Sequence, residues 1–170
     1  MVIISNKADH TSDIALADLY YRMTKPQMLK IAGKLSIPVS GNLWRYETAK
    51  RIGQAVLDYP ECVLCSLSKA EHGLLQRFIE AGPNTYVVTK TRKMPYKLQR
   101  LGLVMTYVDE GNDEWHMLMP DTVREALGSF GSYFTDLIKA GKRLPSLREV
   151  LLNRIWHRMY GVNFHGDKGE

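Results

Sequence analysis

Two cysteines carry the spacing in this sequence that is most often associated with metal or redox chemistry. Cys62 and Cys65 are separated by two residues, so their thiolates can bind one zinc ion or close a redox disulfide. A structural zinc site needs two further ligands, and only His72 lies near the pair in the sequence. No thioredoxin-like strand precedes the pair. We therefore expect two buried, apolar cysteines and neither a bound metal nor another cofactor.

Four carboxylates form a second candidate site, because converging oxygen ligands can hold a divalent cation and serve a metal-dependent nuclease. They are Asp109, Glu110, Asp113 and Glu114, and they flank Gly111-Asn112. This is the turn of a predicted hairpin, where solvated acids are ordinary, and no basic catalytic partner lies at a recognisable spacing. We expect solvated turn residues here.

The histidines and tryptophans show no ligand spacing. The histidines are His10, His72, His116, His157 and His165, and we interpret them as surface or helix-face residues. We interpret Trp44, Trp115 and Trp156 as core or interface anchors rather than base-stacking platforms. The sequence contains no Gly-rich phosphate loop, H-E-x-x-H, nucleophile elbow or kinase signature. We therefore expect no catalytic residues and a protein that is not an enzyme.

Charge is distributed in blocks along the chain. With 170 residues, 45% of them apolar, the chain can bury a core, and its net charge is +5. Residues 20–57 hold seven Lys or Arg and one acid, residues 86–105 hold five and none, and residues 106–127 hold one and six. The basic blocks indicate a polyanionic partner. With no apolar stretch of about 18 residues and no signal-peptide pattern after Met1, we expect a cytoplasmic protein without membrane contact.

The elements that must position these side chains are mostly helices. Capping-box spacings at Thr24, Ser68 and Ser146 each predict a helix start, and the glutamate after Ser68 should reach back to the cap. A further capping-box spacing at Thr122 predicts another helix, with an interruption near 128–131.

The remaining segments are less regular. Residues 1–12 should be an irregular lead-in, residues 13–23 a helix, and residues 42–58 a second helix that carries Trp44 in its apolar stripe. The segment 61–65 should form one packed helical turn. Apolar residues with helical spacing, Leu147, Val150, Leu151, Ile155 and Met159, predict an amphipathic helix before a frayed tail. Alternation in 105–108 and 115–119 around an Asn/Asp/Gly turn predicts a β-hairpin.

The order helix, S-I-P-V-S-G loop and basic helix resembles the SAP and helix-extended-loop-helix modules that bind DNA or RNA. The matching positions are Leu35, Ile37, Ser40, Gly41, Arg51 and Ile52. The resemblance implies a phosphate-binding role for Arg51 and, beside it, for Arg45 and Lys50.

The order helix, basic segment, L-x-x-L-G-L-V junction and hairpin resembles a winged helix. The segment between Gly82 and Pro95 is too short for two full helices, so either one helix is absent or residues 86–92 form a short one. The resemblance implies phosphate contacts beside a recognition helix, made by Lys90, Arg92, Lys93, Lys97 and Arg100.

The predicted fold class is mainly α with a small β-hairpin (α+β): a helical hairpin, a winged-helix-like unit and C-terminal helices. The expected domains are an N-terminal SAP-like module (1–60), a winged-helix-like domain (61–127) and a C-terminal helical pair with its tail (128–170).

Two hypotheses for function follow. The first is a non-enzymatic DNA-binding, transcription-regulatory protein that contacts phosphates through its basic helices. The alternative is a protein-interaction adaptor whose acidic hairpin tip, Asp109, Glu110, Asp113 and Glu114, contacts a basic protein surface.

Overall fold

Helices dominate the computed structural model, which describes residues 1–152, and a single small sheet completes it. The elements are β1 (Val2–Ile4), α1 (Leu16–Tyr21), α2 (Lys25–Lys34), α3 (Arg45–Asp58), α4 (Glu61–Leu64), α5 (Lys69–Ala81), β2 (Val87–Lys90), α6 (Lys97–Arg100), β3 (Met105–Asp109), β4 (Glu114–Leu118) and α7 (Asp121–Lys139). A short 3-10 helix covers Lys7–Asp9, and one more helix begins at residue 147. The predicted fold class, mainly α with a small β element, is confirmed.

Several predicted features fall outside the described residues. They are Trp156, His157, His165, the positions Ile155 and Met159 of the C-terminal amphipathic face, and the tail. Among residues 1–152, no helix is both long and apolar enough to cross a lipid bilayer.

The helix starts predicted from capping boxes at Thr24, Ser68 and Ser146 are confirmed. The Thr24 hydroxyl accepts from the Gln27 N–H, and the Gln27 side chain accepts from the Thr24 N–H. Ser146 and Glu149 exchange the same pair of bonds, at 3.2 and 2.6 Å. The Ser68 hydroxyl accepts from the N–H three residues on. These caps are local, so the sequence alone specifies them.

Three helix boundaries differ from expectation. The helix predicted for 13–23 is shorter, Leu16–Tyr21, and the one predicted from residue 42 begins at Arg45. The Thr122 cap does not form: α7 begins after Pro120 and runs through the predicted interruption without a break. Gly128 and Gly131 lie against Ile79 of α5, where a Cβ would be within 3.8 Å of that side chain. Close packing on α5 therefore outweighs the low helix propensity of these glycines.

The predicted hairpin is confirmed and forms the centre of a four-stranded mixed sheet with the order β1-β3-β4-β2. β3 and β4 pair antiparallel with Asp109 opposite Glu114, and β2 joins the other side of β4. Residues 86–92 therefore contain a strand, and the alternative of a short helix there is wrong. The first residues are also more ordered than expected, because β1 pairs parallel with β3. β1 and β2 are the two edge strands, and Arg77 of α5 donates to the Val88 carbonyl at 2.9 Å.

One hydrophobic core extends across the predicted boundary at residue 60, and α7 is continuous across the predicted boundary at residue 127.

A buried contact, here called the central joint, connects α1 to the segment that follows α6. The fully buried Tyr20 donates its hydroxyl hydrogen to the Leu101 carbonyl at 3.0 Å, and burial raises the pKa of this phenol. Gly102 next to it has φ +69°, and a Cβ there would lie 2.2 Å from Met23 Cε and 3.0 Å from the Tyr20 ring. Glycine suits that position, because L side chains rarely adopt this backbone conformation and a Cβ would displace the end of the Met23 side chain and press on the Tyr20 ring.

A second joint connects the N-terminal segment to two other parts of the fold. Ser12 is fully buried, and both its N–H and its hydroxyl donate to Asn84 Oδ1, at 2.8 and 3.0 Å. The Asn84 N–H donates back to the Ser12 hydroxyl at 2.8 Å, and the Asp121 N–H donates to the Ser12 carbonyl. The chain before α1, the α5–β2 turn and the start of α7 are thus fixed to each other.

Replacing Tyr20 with Phe should lower the free energy of unfolding by about 1–3 kcal/mol, because it leaves the buried Leu101 carbonyl without its donor. Chemical denaturation measures this change. The matched control is Tyr21→Phe, which removes the same hydroxyl from a half-exposed ring and should change stability by less than about 0.5 kcal/mol. Equal effects of the two substitutions would contradict the proposed importance of the joint.

Candidate functional site

The segment of residues 91–100, here called the basic loop, follows β2, contains α6 and is separated from β3 by four residues. The Arg92 guanidinium lies over the Tyr96 ring, 4.3 Å from its centroid, and Arg100 Nε donates to the Pro95 carbonyl at 3.2 Å. Both arginines are exposed and are held by the same short segment, while most of their N–H donors point to solvent. Lys93 is also exposed, and its ammonium makes no hydrogen bond or ion pair with the residues that the structure describes. The loop therefore presents three cations that are not neutralised by neighbouring acids.

The other two cations predicted for this site are bound within the protein. Lys97 is half-buried, and its ammonium donates to the Ser66 carbonyl at 2.7 Å. Lys90 donates to the Asn112 carbonyl at 3.0 Å and pairs with Glu114 at 3.2 Å. Their ammonium groups stabilise the fold near the loop, so they are less available to a phosphate than Arg92, Lys93 and Arg100.

Glu71 explains how the basic loop is attached to α5. We expected this glutamate to bond the N–H of its own helix cap, and that expectation is wrong: Glu71 Oε1 accepts from the Lys97 N–H at 2.7 Å. The carboxylate is buried and lies at the first residue of α6, where an anion satisfies an otherwise unpaired N–H. The tertiary bond replaces the local one and fixes where α6 begins.

The second predicted strip, on α3, is also partly committed to structure. Arg45 donates through Nε to the Met23 carbonyl at 3.0 Å and through Nη2 to the Tyr21 carbonyl, so it satisfies carbonyls at the end of α1. Lys50 pairs with Glu47 at 3.0 Å and lies over the Tyr46 ring. Arg51 is exposed and lines two adjoining open grooves of about 770 and 450 Å³. Of these three cationic side chains, that of Arg51 is the most accessible to a ligand.

Trp44 lies on the surface of the protein and not in its core. Its side chain is 85% exposed, so of the two expected roles, core or interface anchor, the core is excluded, whereas Trp115 is 4% exposed and is a core residue. The surface position follows from the helix start: α3 begins after Trp44, so this residue is the N-cap and lies outside the helical stripe. Nearby, the Tyr21 and Tyr46 rings meet edge to face with centroids 5.3 Å apart. The signal in the sequence was the run Trp44-Arg45-Tyr46, which alternates aromatic and cationic side chains.

The hairpin register brings together three residues that sequence spacing did not connect. Asp109, Glu114 and His116 offer ligand atoms that all lie within 4.8 Å of one another. His116 Nε2 is 3.3 Å from Glu114 Oε2 and 3.7 Å from Asp109 Oδ2. The expectation of four solvated acids therefore fails for these two carboxylates, while Glu110 and Asp113 are exposed as expected. The signal in the sequence was the predicted hairpin itself. Its register pairs Asp109 with Glu114, and Glu114 is two residues before His116 on the same strand.

The surroundings of His116 favour a cluster of charged side chains over a metal centre, because the Lys7 ammonium already lies against the ring. Lys7 Nζ is 3.2 Å from His116 Nδ1, and since an ammonium can only donate, Nδ1 accepts in this contact. Nε2 faces the two carboxylates without a hydrogen bond to the residues that the structure describes. Lys7 is fixed by the Tyr86 and Tyr107 rings, each 5.4 Å from its nitrogen. The pKa of Asp109 lies below its ordinary value, chiefly because the Asn112 side chain donates to it at 2.9 Å.

The two cysteines lie in and after α4. Cys62 is buried, Cys65 is half-buried, and no disulfide joins them. In the part of the chain that the structure describes, no group of His, Cys, Asp and Glu ligands includes either thiol. Burial, with smaller contributions from the nearby groups Cys62, Glu61 and Glu149, raises the pKa of Cys65 to about 12.

Comparison with known proteins gives no match for this chain: no protein-family model matches the sequence, no curated protein is similar to it, and no solved structure matches its fold. The chemistry of the site itself is therefore the basis for a functional conclusion.

The purified protein should contain no stoichiometric zinc, and Cys65 should react slowly with iodoacetamide, because a pKa of about 12 leaves roughly 0.01% thiolate at pH 8. Mass spectrometry measures alkylation, with the urea-unfolded protein as the fast-reacting control. Replacing Cys62 and Cys65 with Ala should lower the free energy of unfolding by about 1–3 kcal/mol, the effect of a small cavity. Bound zinc in the wild type would contradict this interpretation.

Proposed function

We propose that this chain is a non-enzymatic DNA-binding protein that contacts phosphates through the basic loop, with Arg51 of α3 in a second strip. The observation that carries the proposal is the exposure of Arg92, Lys93 and Arg100, none of which pairs with an acid among residues 1–152. They lie in a block of the chain, residues 86–105, that contains no acidic residue. Cations that are already hydrated and unpaired exchange water for phosphate at little cost, and the counterions released from DNA favour binding.

The support of these cations suits a role in positioning DNA. Arg92 and Arg100 are held by contacts with the Pro95–Tyr96 segment, and the Lys97 N–H binds the Glu71 carboxylate. Less side-chain entropy is lost when a preorganised guanidinium binds a phosphate. Contacts to phosphate determine affinity and orientation rather than base sequence. The proposal therefore concerns affinity for the DNA backbone and a regulatory role built on it, without a particular target sequence.

The resemblance to winged helices supports the proposal and indicates an orientation. β2, β4 and β3 form an antiparallel three-stranded unit that follows α5, and α6 with its L-x-x-L-G-L-V junction precedes the hairpin. In that family the hairpin lies along the phosphate backbone. Here its tip exposes Glu110 and Asp113, which repel phosphate. We propose that the hairpin tip faces away from DNA while the basic loop faces toward it.

The adaptor remains the second candidate because the acidic tip lies next to the basic loop. The Thr91 N–H donates to the Asp113 carbonyl at 3.0 Å, so the open carboxylates and the first residues of the loop are close. Such a surface of adjacent opposite charges complements a protein with a similarly divided surface. It fits a uniform polyanion less well.

Replacing Arg92, Lys93 and Arg100 with Gln should weaken DNA binding and reduce the magnitude of the slope of log K against log salt. Each phosphate of duplex DNA that the protein neutralises contributes about 0.9 to that slope, so removing three cations should reduce it by about 2.7. Fluorescence anisotropy with labelled duplex and single-stranded oligonucleotides across a salt series measures both quantities.

The matched control for this variant is Lys139, Lys142 and Arg148 to Gln, which removes the same net charge from exposed positions at and after the end of α7. It should leave the slope within about 0.5 of the wild-type value. Equal losses of affinity in the two triple variants would mean that net charge alone drives binding. No binding by the wild type at low salt would overturn the proposal in favour of the adaptor.

Replacing Glu110 with Gln and Asp113 with Asn should strengthen DNA binding, because it removes two negative charges that lie beside the basic loop and repel the DNA phosphates. The increase should stay below about thirtyfold, since exposed charge pairs contribute about 0.2–1 kcal/mol each, or at most about 2 kcal/mol for the two. The same anisotropy assay measures it, with Asp13→Asn and Glu125→Gln as the charge-matched control. Unchanged DNA affinity in the tip variant would mean that the tip is remote from bound DNA.

A further inference from the structure

A cluster of aromatic and cationic side chains on the α1–α3 side of the molecule takes no part in the core. We call Tyr21, Trp44 and Tyr46 the aromatic patch; each of these rings is exposed, and Trp44 is the most exposed large apolar side chain of residues 1–152. An indole left in water on a folded surface forgoes a large hydrophobic gain, so a ligand that covers it gains that free energy on binding. The patch therefore indicates a binding surface.

The backbone beneath the patch is held in place although its rings are exposed. The Trp44 carbonyl accepts from both the N–H and the hydroxyl of the buried Thr48, at 2.8 and 3.0 Å, so the Trp44 backbone is fixed as the N-cap of α3. Arg45 lies over the Tyr21 ring, 4.5 Å from its centroid, and its bonds to the Met23 and Tyr21 carbonyls tie α3 to the end of α1. A ring on a fixed backbone suits stacking, because binding orders the side chain alone.

The charge around the patch is mostly positive, which favours a polyanion. Arg22, Lys30, Lys34 and Arg51 are exposed in the block of residues 20–57. Two acids lie nearby: Glu47 pairs with Lys50 at 3.0 Å, and Asp18 accepts from the Tyr46 hydroxyl at 3.5 Å. The larger of the two grooves is lined by Leu43, the residue before Trp44, and by Glu47, Lys50 and Arg51, so a charged backbone can follow α3 along it.

We propose that the aromatic patch binds single-stranded nucleic acid by stacking unpaired bases on Trp44, while cations of the same block contact the phosphates. The proposal rests on the proposed function and adds a class of ligand to it. Unpaired bases expose their faces, whereas the bases of a duplex cover each other, so a stacking surface selects single strands. The exposed cations of the block outnumber the nearby acids Glu47 and Asp18, which favours an anionic ligand over a basic protein.

The test compares Trp44→Ala with the wild type in binding a fluorescein-labelled oligothymidylate and a DNA duplex of equal length. The variant should bind the single strand about 5- to 150-fold more weakly than the wild type, since stacking one base on an aromatic ring contributes about 1–3 kcal/mol. Its affinity for the duplex should stay within about twofold of the wild type. Its salt slope should be unchanged because no charge is removed. Trp44→Phe should recover most of the affinity, because a smaller aromatic ring still stacks.

Intrinsic tryptophan fluorescence provides a second readout. The readout uses a Trp156→Phe background, so that Trp44 and Trp115 are the two remaining tryptophans. Unlabelled oligothymidylate should quench this protein, and adding Trp44→Ala should remove that quenching, since Trp115 is buried. The matched control is Phe130→Ala, which removes an exposed aromatic ring from α7 and should leave single-strand binding unchanged. Circular dichroism of each variant confirms that the fold is retained.

The outcomes separate this inference from the proposed function. If Trp44→Ala leaves single-strand affinity unchanged while the basic-loop variant loses DNA binding, this inference fails and the proposed function stands. Equal loss of duplex and single-strand affinity also overturns the inference. Absence of all binding to either oligonucleotide overturns both. Trp44-dependent binding to phosphatidylserine vesicles, with no binding to the oligonucleotide, would assign the patch to an anionic lipid surface instead.

Discussion

The hydrogen bond from Tyr20 to the Leu101 carbonyl, together with the absence of a side chain at Gly102, fixes the relation between the two basic regions of this molecule. α6 ends at that carbonyl, and the chain turns there into β3 with the positive φ that glycine allows. α1 contributes the tyrosine near its C-terminal end, and Arg45 of α3 donates to the Tyr21 and Met23 carbonyls at and just after that same end. The basic loop and α3 are therefore positioned by one buried contact in which an added methyl group would force Met23 and Tyr20 to shift.

Local features of the fold could be predicted from the sequence because their causes are local. The caps at Thr24, Ser68 and Ser146 and the hairpin of β3 and β4 each depend on residues a few positions apart. The parallel pairing of β1 with β3 could not be predicted this way, because it joins residue 2 to residue 105 and three residues show too little alternation. The unbroken α7 likewise depends on Ile79 of another helix.

The candidate site shows why counting charges identifies a basic surface but not its binding residues. Eight cations were predicted to contact phosphates, and the fold uses several of them to satisfy backbone carbonyls or acids: Arg45 at the end of α1, Lys97 at Ser66 and Lys90 at Asn112. A long cationic side chain binds whichever acceptor the tertiary structure brings near, and no pattern along the sequence encodes that distance. Trp44 shows the converse, since a shift of three residues in a helix start moved it from the expected apolar stripe to the surface.

The strand order has a consequence for how the molecule behaves at high concentration. An edge strand exposes unpaired N–H and C=O groups on which another chain can add a strand, which is a route to aggregation. β1 is only three residues long, so it offers a short template. On β2 the Arg77 guanidinium occupies the Val88 carbonyl, and Lys90 places a charge at the end of the strand. Both edges are thus poorly suited to intermolecular β-pairing, so a chain with a four-stranded sheet can remain dispersed without closing that sheet into a barrel.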